Sequence, residues 1–145
     1  MKNTGKASEE IFDDFIARQG KGFCLIPFED QAALVGLNKG KIMRSSAKPC
    51  DRIVISISGT SFCEIKSTHN KTSFPFSMLR DGQTAYAKKI TTASGIYFVF
   101  VHNKLTNRWY RIPWKRIEDQ ILNGVKSLKW TDLEDLRFQP LEAYH

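Results

Sequence analysis

Apolar positions follow three rhythms along the chain. Ile11, Phe12, Phe15 and Ile16 recur at helical spacing. Ser8 stands before them as an N-cap, and Glu9 and Glu10 sit where the helix dipole favours anions. Gly20 or Gly22 ends this helix. On its wheel Glu9 lies at the edge of the apolar stripe and Glu10 points away. Residues 1–7 are polar and expected to be mobile. A second rhythm marks strands. Residues 23–28 read as a short strand that Pro27 ends or marks as an edge. Residues 53–57 are a nearly unbroken β-branched run, Ser58-Gly59 is a turn, and residues 62–67 return as the partner strand. Residues 95–102 form a strongly apolar strand, joined through 103–106 to another over 107–112. The third rhythm is helical again. Asp81 caps a helix reaching about Thr92, with Ala85, Ala87 and Ile90 inward. Pro113 opens another, with Ile117, Ile121 and Leu122 on its apolar face and Gly124 after it. Thr131-Asp132-Leu133-Glu134 fits a capping box and predicts a short C-terminal helix. The pattern gives one α/β domain, a mixed sheet flanked by helices.

Residues 29–48 are the least regular part. A short helix fits 32–37, while Gly36 and Gly40 argue for turns. Lys39, Lys41, Arg44 and Lys48 make the segment basic, either as a DNA contact or as a solvated surface.

Length and charge narrow the picture. A chain of 145 residues suits one domain with a substantial core. Its net charge of +7 favours polyanionic partners. Cys24, Cys50 and Cys63 are odd in number and lack CxxC spacing, so they read as reduced thiols in a cytosolic protein. No apolar run has membrane-span length and no signal peptide opens the chain, so a membrane role is not expected.

The chemistry concentrates in residues 49–83. With the hairpin centred on Ser58-Gly59, Asp51 lies opposite Lys66 and Ile53 opposite Glu64. Strand alternation then puts Asp51, Glu64 and Lys66 on one face with Ile53, Ile55, Ile57 and Phe62. Charges in a partly buried place need pairing or a metal. Mg²⁺ takes one or two carboxylates, waters and substrate phosphate, and Asp51 and Glu64 supply the carboxylates. Lys66 can hold or activate the attacking water and offset phosphate charge. A bound metal serves as Lewis acid and template for in-line displacement. Cys50 reads as structural, and Cys63 alternates away from Glu64. Trp109, Trp114 and Trp130 can stack on bases or pack in a core or dimer contact.

Asp51, twelve residues, then Glu64-Ile65-Lys66 on a hairpin resembles the PD-(D/E)xK nuclease superfamily. Asn70-Lys71-Thr72-Ser73-Phe74-Pro75, followed by Gln83 eight residues after the proline, is similar to the RecU-type Holliday junction resolvases. That resemblance implies a restriction-endonuclease-like fold and a metal-dependent, structure-selective DNA endonuclease that cuts four-way junctions by symmetric nicks. A nuclease of the same fold on another DNA substrate, and a non-catalytic DNA-binding module, are the alternatives. The resemblance adds Glu9, four residues after Gly5, and the Ile65 carbonyl to the Asp51 and Glu64 metal set, and gives Gln83 a part in placing water or phosphate. It turns Ser67, Thr68, His69, Asn70, Lys71 and Thr72 toward DNA. It further implies Mg²⁺ with Mn²⁺ substituting, a branched-DNA partner, a homodimer, and the cytoplasm of a bacterial or phage-infected cell. RecU-type proteins carry a stalk before the catalytic Asp, and residues 29–48 offer only a modest stalk-like or DNA-contacting insertion.

Overall fold

The computed structural model describes residues 4–28 and 48–140. The expected short helix at 32–37, the stalk-like insertion and the DNA contacts Lys39, Lys41 and Arg44 lie outside the described residues. Helix α1 (Thr4–Ala17) is followed by β1 (Cys24–Pro27), β2 (Arg52–Ser56), β3 (Gly59–Thr68) and β4 (Ser73–Pro75). Then come α2 (Asp81–Thr92), β5 (Ile96–Asn103), β6 (Arg108–Pro113), α3 (Trp114–Leu122), β7 (Ser127–Lys129) and β8 (Arg137–Phe138).

A mixed sheet in the order β1-β2-β3-β5-β6-β8 forms the centre, and β4 pairs with β7 apart from it. β3 runs antiparallel to β2 but parallel to β5. A parallel pair needs a long crossover, and the stretch carrying β4 and α2 supplies it. β3 therefore has a strand on each side.

The sheet is covered on both faces. Phe12, Phe15 and Ile16 of α1 pack on Val54, Cys63, Ile65, Phe100 and Trp109. The opposite face carries Tyr97, Val99, Val101, Tyr110 and Ile112 against Ala87 of α2 and Trp114 and Ile117 of α3. Complete burial of Phe12 contributes about 2–3 kcal/mol, so the apolar stripe of α1 is a principal anchor of that helix.

Several expectations need correction. Helix α1 begins at Thr4, so Thr4–Ala7 are helical rather than mobile, and Ser8 is a buried interior residue, not the cap. The hairpin pairs Ser56 with Gly59 and Ile53 with Phe62, so it turns at Ile57-Ser58, one residue early. Asp51 is not opposite Lys66, nor Ile53 opposite Glu64. Gly59 has φ of 121°, which an L side chain rarely adopts, and it begins β3 rather than filling the turn. The slip moves the pairing by two positions and so keeps the faces. Ile57 nevertheless projects fully into solvent at the hairpin tip.

Ala85 is exposed on α2, and Arg80 rather than Asp81 occupies its N-cap. Ile121 and Leu122 are exposed because α3 turns only its Trp114 and Ile117 side inward. The expected C-terminal helix is two 3₁₀ turns, over Trp130–Asp132 and Glu134–Leu136, leading into β8. Trp109, Trp114 and Trp130 are all buried, so they are core residues here and not base-stacking platforms.

Candidate active site

Strand length creates the site. β3 runs on to Thr68, while β2 begins only at Arg52, the partner of Cys63. Beyond that pair the β2 side of β3 needs other partners. The Asp51 backbone N–H donates to the Cys63 carbonyl at 3.1 Å. The Ile65 N–H, next along that edge, donates to Asp51 Oδ2 at 2.9 Å. The carboxylate thus takes the place of a missing strand residue. N–H and C=O of one strand residue point to the same side, so the Ile65 carbonyl faces the same edge as Asp51.

Glu64 pairs with Val99 and Lys66 with Val101 across the parallel ladder. Neighbours in a ladder share a face, so both charged residues project on the side covered by α2 and α3. Cys63 and Ile65 project on the α1 side, as alternation predicts. Glu64 is only 1% exposed, and its Oε2 is the sole buried side-chain oxygen or nitrogen among the described residues without a hydrogen-bond partner. Burial, together with the hydrogen bond and charge of Asp51, pushes the Glu64 carboxyl up to about 9. Burial alone would raise Asp51 too, but hydrogen bonds from Glu64, the Ile65 N–H and Lys48 outweigh it and hold Asp51 below its usual range. The two carboxyl groups are thus pushed in opposite directions, Glu64 up and Asp51 down.

Lys48 Nζ lies 3.0 Å from Asp51 Oδ1. Burial would lower this ammonium, but the bond and charge of Asp51 prevail and raise it, so it is cationic. Tyr97 fixes the approach to the site by donating its hydroxyl to the Pro49 carbonyl at 2.7 Å. Cys50 is wholly buried beside it, its thiol pushed up to about 12 by desolvation, in keeping with a structural role.

Arg52 ties α1 to the sheet. It holds Asp13 through two bonds of 2.8 and 3.1 Å, reaches Glu9 Oε1 at 3.4 Å and donates to the Asp51 carbonyl at 2.9 Å. Burial and the Asp51 charge raise the Glu9 carboxyl. Glu9 is thus brought into the field of Asp51, but Arg52 takes it up. Among the described residues no three His, Cys, Asp or Glu side chains converge closely enough to hold an ion together. Gln83 is buried in the first turn of α2, where its Oε1 accepts from the Arg80 N–H at 3.0 Å.

The polar stretch after Lys66 divides in two. Ser67 and Thr68 belong to β3, which runs one residue past the expected strand end, while His69, Asn70, Lys71 and Thr72 form an exposed turn. Asn70 Oδ1 accepts from the N–H groups of Thr72 and Ser73 at 3.1 and 3.3 Å. Trp130 seats the turn, donating from Nε1 to the Asn70 carbonyl at 3.0 Å and from its backbone N–H to the Thr72 carbonyl.

Sequence reasoning missed Arg52, the Lys48–Asp51 ion pair and the seating role of Trp130. Arg52 follows Asp51 directly, which was the available signal, while Glu9 and Asp13 meet it only in the fold. Nothing local connects Trp130 to Asn70.

The donor set suits a hard divalent cation. Two carboxylates, one with an unpartnered oxygen, and a carbonyl on the same edge match the oxygen ligation that Mg²⁺ completes with water.

The profile of the RecU family, described as Recombination protein U, matches residues 54–143. The chain belongs to the RecU family. Holliday junction resolvase RecU from Staphylococcus aureus strain JH9 is 33% identical to this RecU-family chain over 69 residues, and the protein from strain COL agrees equally. That match covers 43% of the chain and spans about 33% of the length of these curated relatives. The fold is also similar to a solved structure of Archaeoglobus fulgidus Hjc, a Holliday junction resolvase from an archaeal hyperthermophile. The TM-score is 0.53 and the identity 14%, over 91% of this chain and 90% of that one. The likeness places the RecU-family chain in the restriction-endonuclease-like fold, a central mixed sheet flanked by three helices among the described residues.

Proposed function

We propose that residues 1–145 act as one nuclease domain, a metal-dependent and structure-selective DNA endonuclease that cuts four-way junctions by symmetric nicks as a homodimer. The observation that supports this most is the buried carboxylate pair Asp51–Glu64, with an unpartnered Glu64 oxygen, in a RecU-family chain. Apolar packing would satisfy this place better if it served stability alone.

Asp51, Glu64 and the Ile65 carbonyl would hold the cation, Mg²⁺ with Mn²⁺ as substitute, and Glu9 would reach it through water. The bound cation would supply Lewis acidity toward the scissile phosphodiester. Asp51 and Glu64 would both ligate as carboxylates, and a bound cation would favour the ionised form of Glu64 that burial and Asp51 oppose. Lys66, projecting from the same face as Glu64, orients the attacking water and offsets phosphate charge. Gln83 positions water or phosphate from α2. Ser67, Thr68, His69, Asn70, Lys71 and Thr72 contact the DNA backbone, and Lys39, Lys41 and Arg44 add cationic phosphate contacts, with Lys48 held by Asp51 in the metal-free site. Among the described residues no helix is long and apolar enough to cross a membrane. The bacterial relatives are consistent with action in the cytoplasm.

A titration of four-way junction against duplex of equal length, across salt and with cleavage followed in Mg²⁺, tests the reading. We expect preferential binding and paired nicking of the junction by a dimer. Joint neutralisation of Lys39, Lys41 and Arg44 should flatten the salt dependence by about one unit of slope for each phosphate left without its cation. Equal affinity for both DNAs, or full activity of a monomer on linear duplex, removes junction selectivity. A same-fold nuclease for another DNA is the second reading. It is favoured by the match spanning only about 33% of the length of these curated relatives.

A further inference from the structure

Lys48 does something that a basic residue reaching for DNA would not. Its ammonium points into the carboxylate pair and lies 3.0 Å from Asp51 Oδ1. The other Asp51 oxygen is engaged by the Ile65 N–H. Oδ1 is therefore the atom through which Asp51 would ligate, and Lys48 already occupies it. The lysine is only three residues from Asp51, and the intervening Pro49 is fixed both by its ring and by the Tyr97 hydroxyl on its carbonyl. The ammonium can leave Oδ1 yet cannot go far. Its side chain is about one third exposed, which leaves it a wet side to turn toward.

We propose that Lys48 is the counter-cation of the metal-free site, holding Asp51 until a divalent cation displaces it, after which the released ammonium contacts the DNA phosphate bound there. This rests on the reading of Asp51 and Glu64 as metal ligands. Two cations at contact distance on Oδ1 repel each other, more so in a partly buried place than in water. Metal and Lys48 are competitors for one oxygen. The competition holds Asp51 in place while metal is absent, and it frees a positive group beside the phosphate when metal arrives.

Calorimetric titration with Mn²⁺ at pH 8, without DNA, tests the first half on wild type, Lys48→Met, Lys48→Arg and Asp51→Asn. Lys48→Met should bind Mn²⁺ about fivefold more tightly or better, the Coulomb effect of removing one positive charge at contact distance in a partly wetted site. Lys48→Arg should bind it more weakly than wild type, because a guanidinium grips a carboxylate with two donors. An unchanged or weaker affinity in a folded Lys48→Met overturns the proposal. Should that variant fail to fold, wild-type affinity in Lys48→Arg does the same. If wild type takes up no Mn²⁺, or Asp51→Asn takes it up equally, the metal-ligand reading itself falls. The second half is read from junction binding across salt, with and without Ca²⁺, a hard cation that also takes oxygen ligands. The Lys48→Met change should lower the salt slope by about one with Ca²⁺ and leave it unchanged without. An equal fall in both conditions would make Lys48 an ordinary phosphate contact and overturn the displacement.

Discussion

Ser8 Oγ lies 2.9 Å from His102 Nδ1, joining the buried side of α1 to the end of β5. The other ring nitrogen, Nε2, lies 2.9 Å from Asn107 Oδ1, and the ring stacks on Trp109. Burial holds His102 below its ordinary range, so the ring is neutral at pH 7. An amide oxygen only accepts, so Nε2 carries the proton and Nδ1 accepts from the serine hydroxyl. Glu9 is the next residue after Ser8, so this bond helps set where Glu9 stands beside Arg52. Ser8→Ala leaves Nδ1 buried without this donor and should cost about 1–3 kcal/mol, read from urea unfolding. A loss of only a few tenths would show that apolar packing alone seats α1.

Asp51→Asn and Glu64→Gln should each abolish cleavage while junction binding survives. In Asp51→Asn the new amide would still offer an oxygen to the Ile65 N–H, so the fold should hold. Junction affinity without metal should stay level or rise, because one negative charge facing the phosphates is gone. Gel-shift titration beside a Mg²⁺ cleavage assay checks this, and full cleavage by either variant contradicts the assignment.

The raised carboxyl of Glu64 has a thermodynamic sign. Its ordinary value is 4.5 and its folded value is about 9. Between these the folded chain holds a proton that the unfolded chain releases, so its contribution to stability falls as pH rises through that window. Asp51, held below its usual 3.8, stays ionised there and adds no slope of its own. The melting temperature of metal-free wild type, taken relative to Glu64→Gln, should decline from pH 5 to pH 9. Mg²⁺ should reverse the decline at the alkaline end, where the ligand is already deprotonated. A flat difference would place the proton elsewhere.

Lys66 should matter to the chemical step more than to affinity. Lys66→Ala should slow single-turnover cleavage by roughly a hundredfold or more, as loss of one preorganised electrostatic group does. Junction affinity should change little. If the loss appears only in binding, Lys66 is a phosphate contact and not part of the reacting centre.

Local patterns in the sequence carried much of this. The unbroken Ile53, Val54, Ile55 run and the Glu64-Ile65-Lys66 return predict the hairpin, and the period of two assigns Cys63 and Glu64 to opposite faces. The exact turn was less legible because Ser58-Gly59 is good turn chemistry, while the native φ of Gly59 serves the first residue of β3. The start of α1 was hidden for a related reason: Ser8 resembles a cap, yet its hydroxyl is committed to His102, far away in sequence. The β4–β7 pair and the Trp130 contact with Asn70 also depend on distant segments that leave no mark on local periodicity. The same holds for Lys48. A basic residue next to a basic stretch reads as surface, and only the folded chain turns it toward Asp51.

The parallel pairing of β3 with β5 has a bearing on how the protein is made. Glu64 and Asp51 leave the ribosome together, but the neighbour of Glu64 in the ladder, Val99, belongs to a strand synthesised after the whole crossover. Non-local pairings of this kind form late, since the intervening chain must first be closed. Until then Glu64 is a wetted carboxyl with no low-dielectric wall on that side. A half-made chain carries the motif without the enclosed centre, which is complete only once synthesis has passed β5.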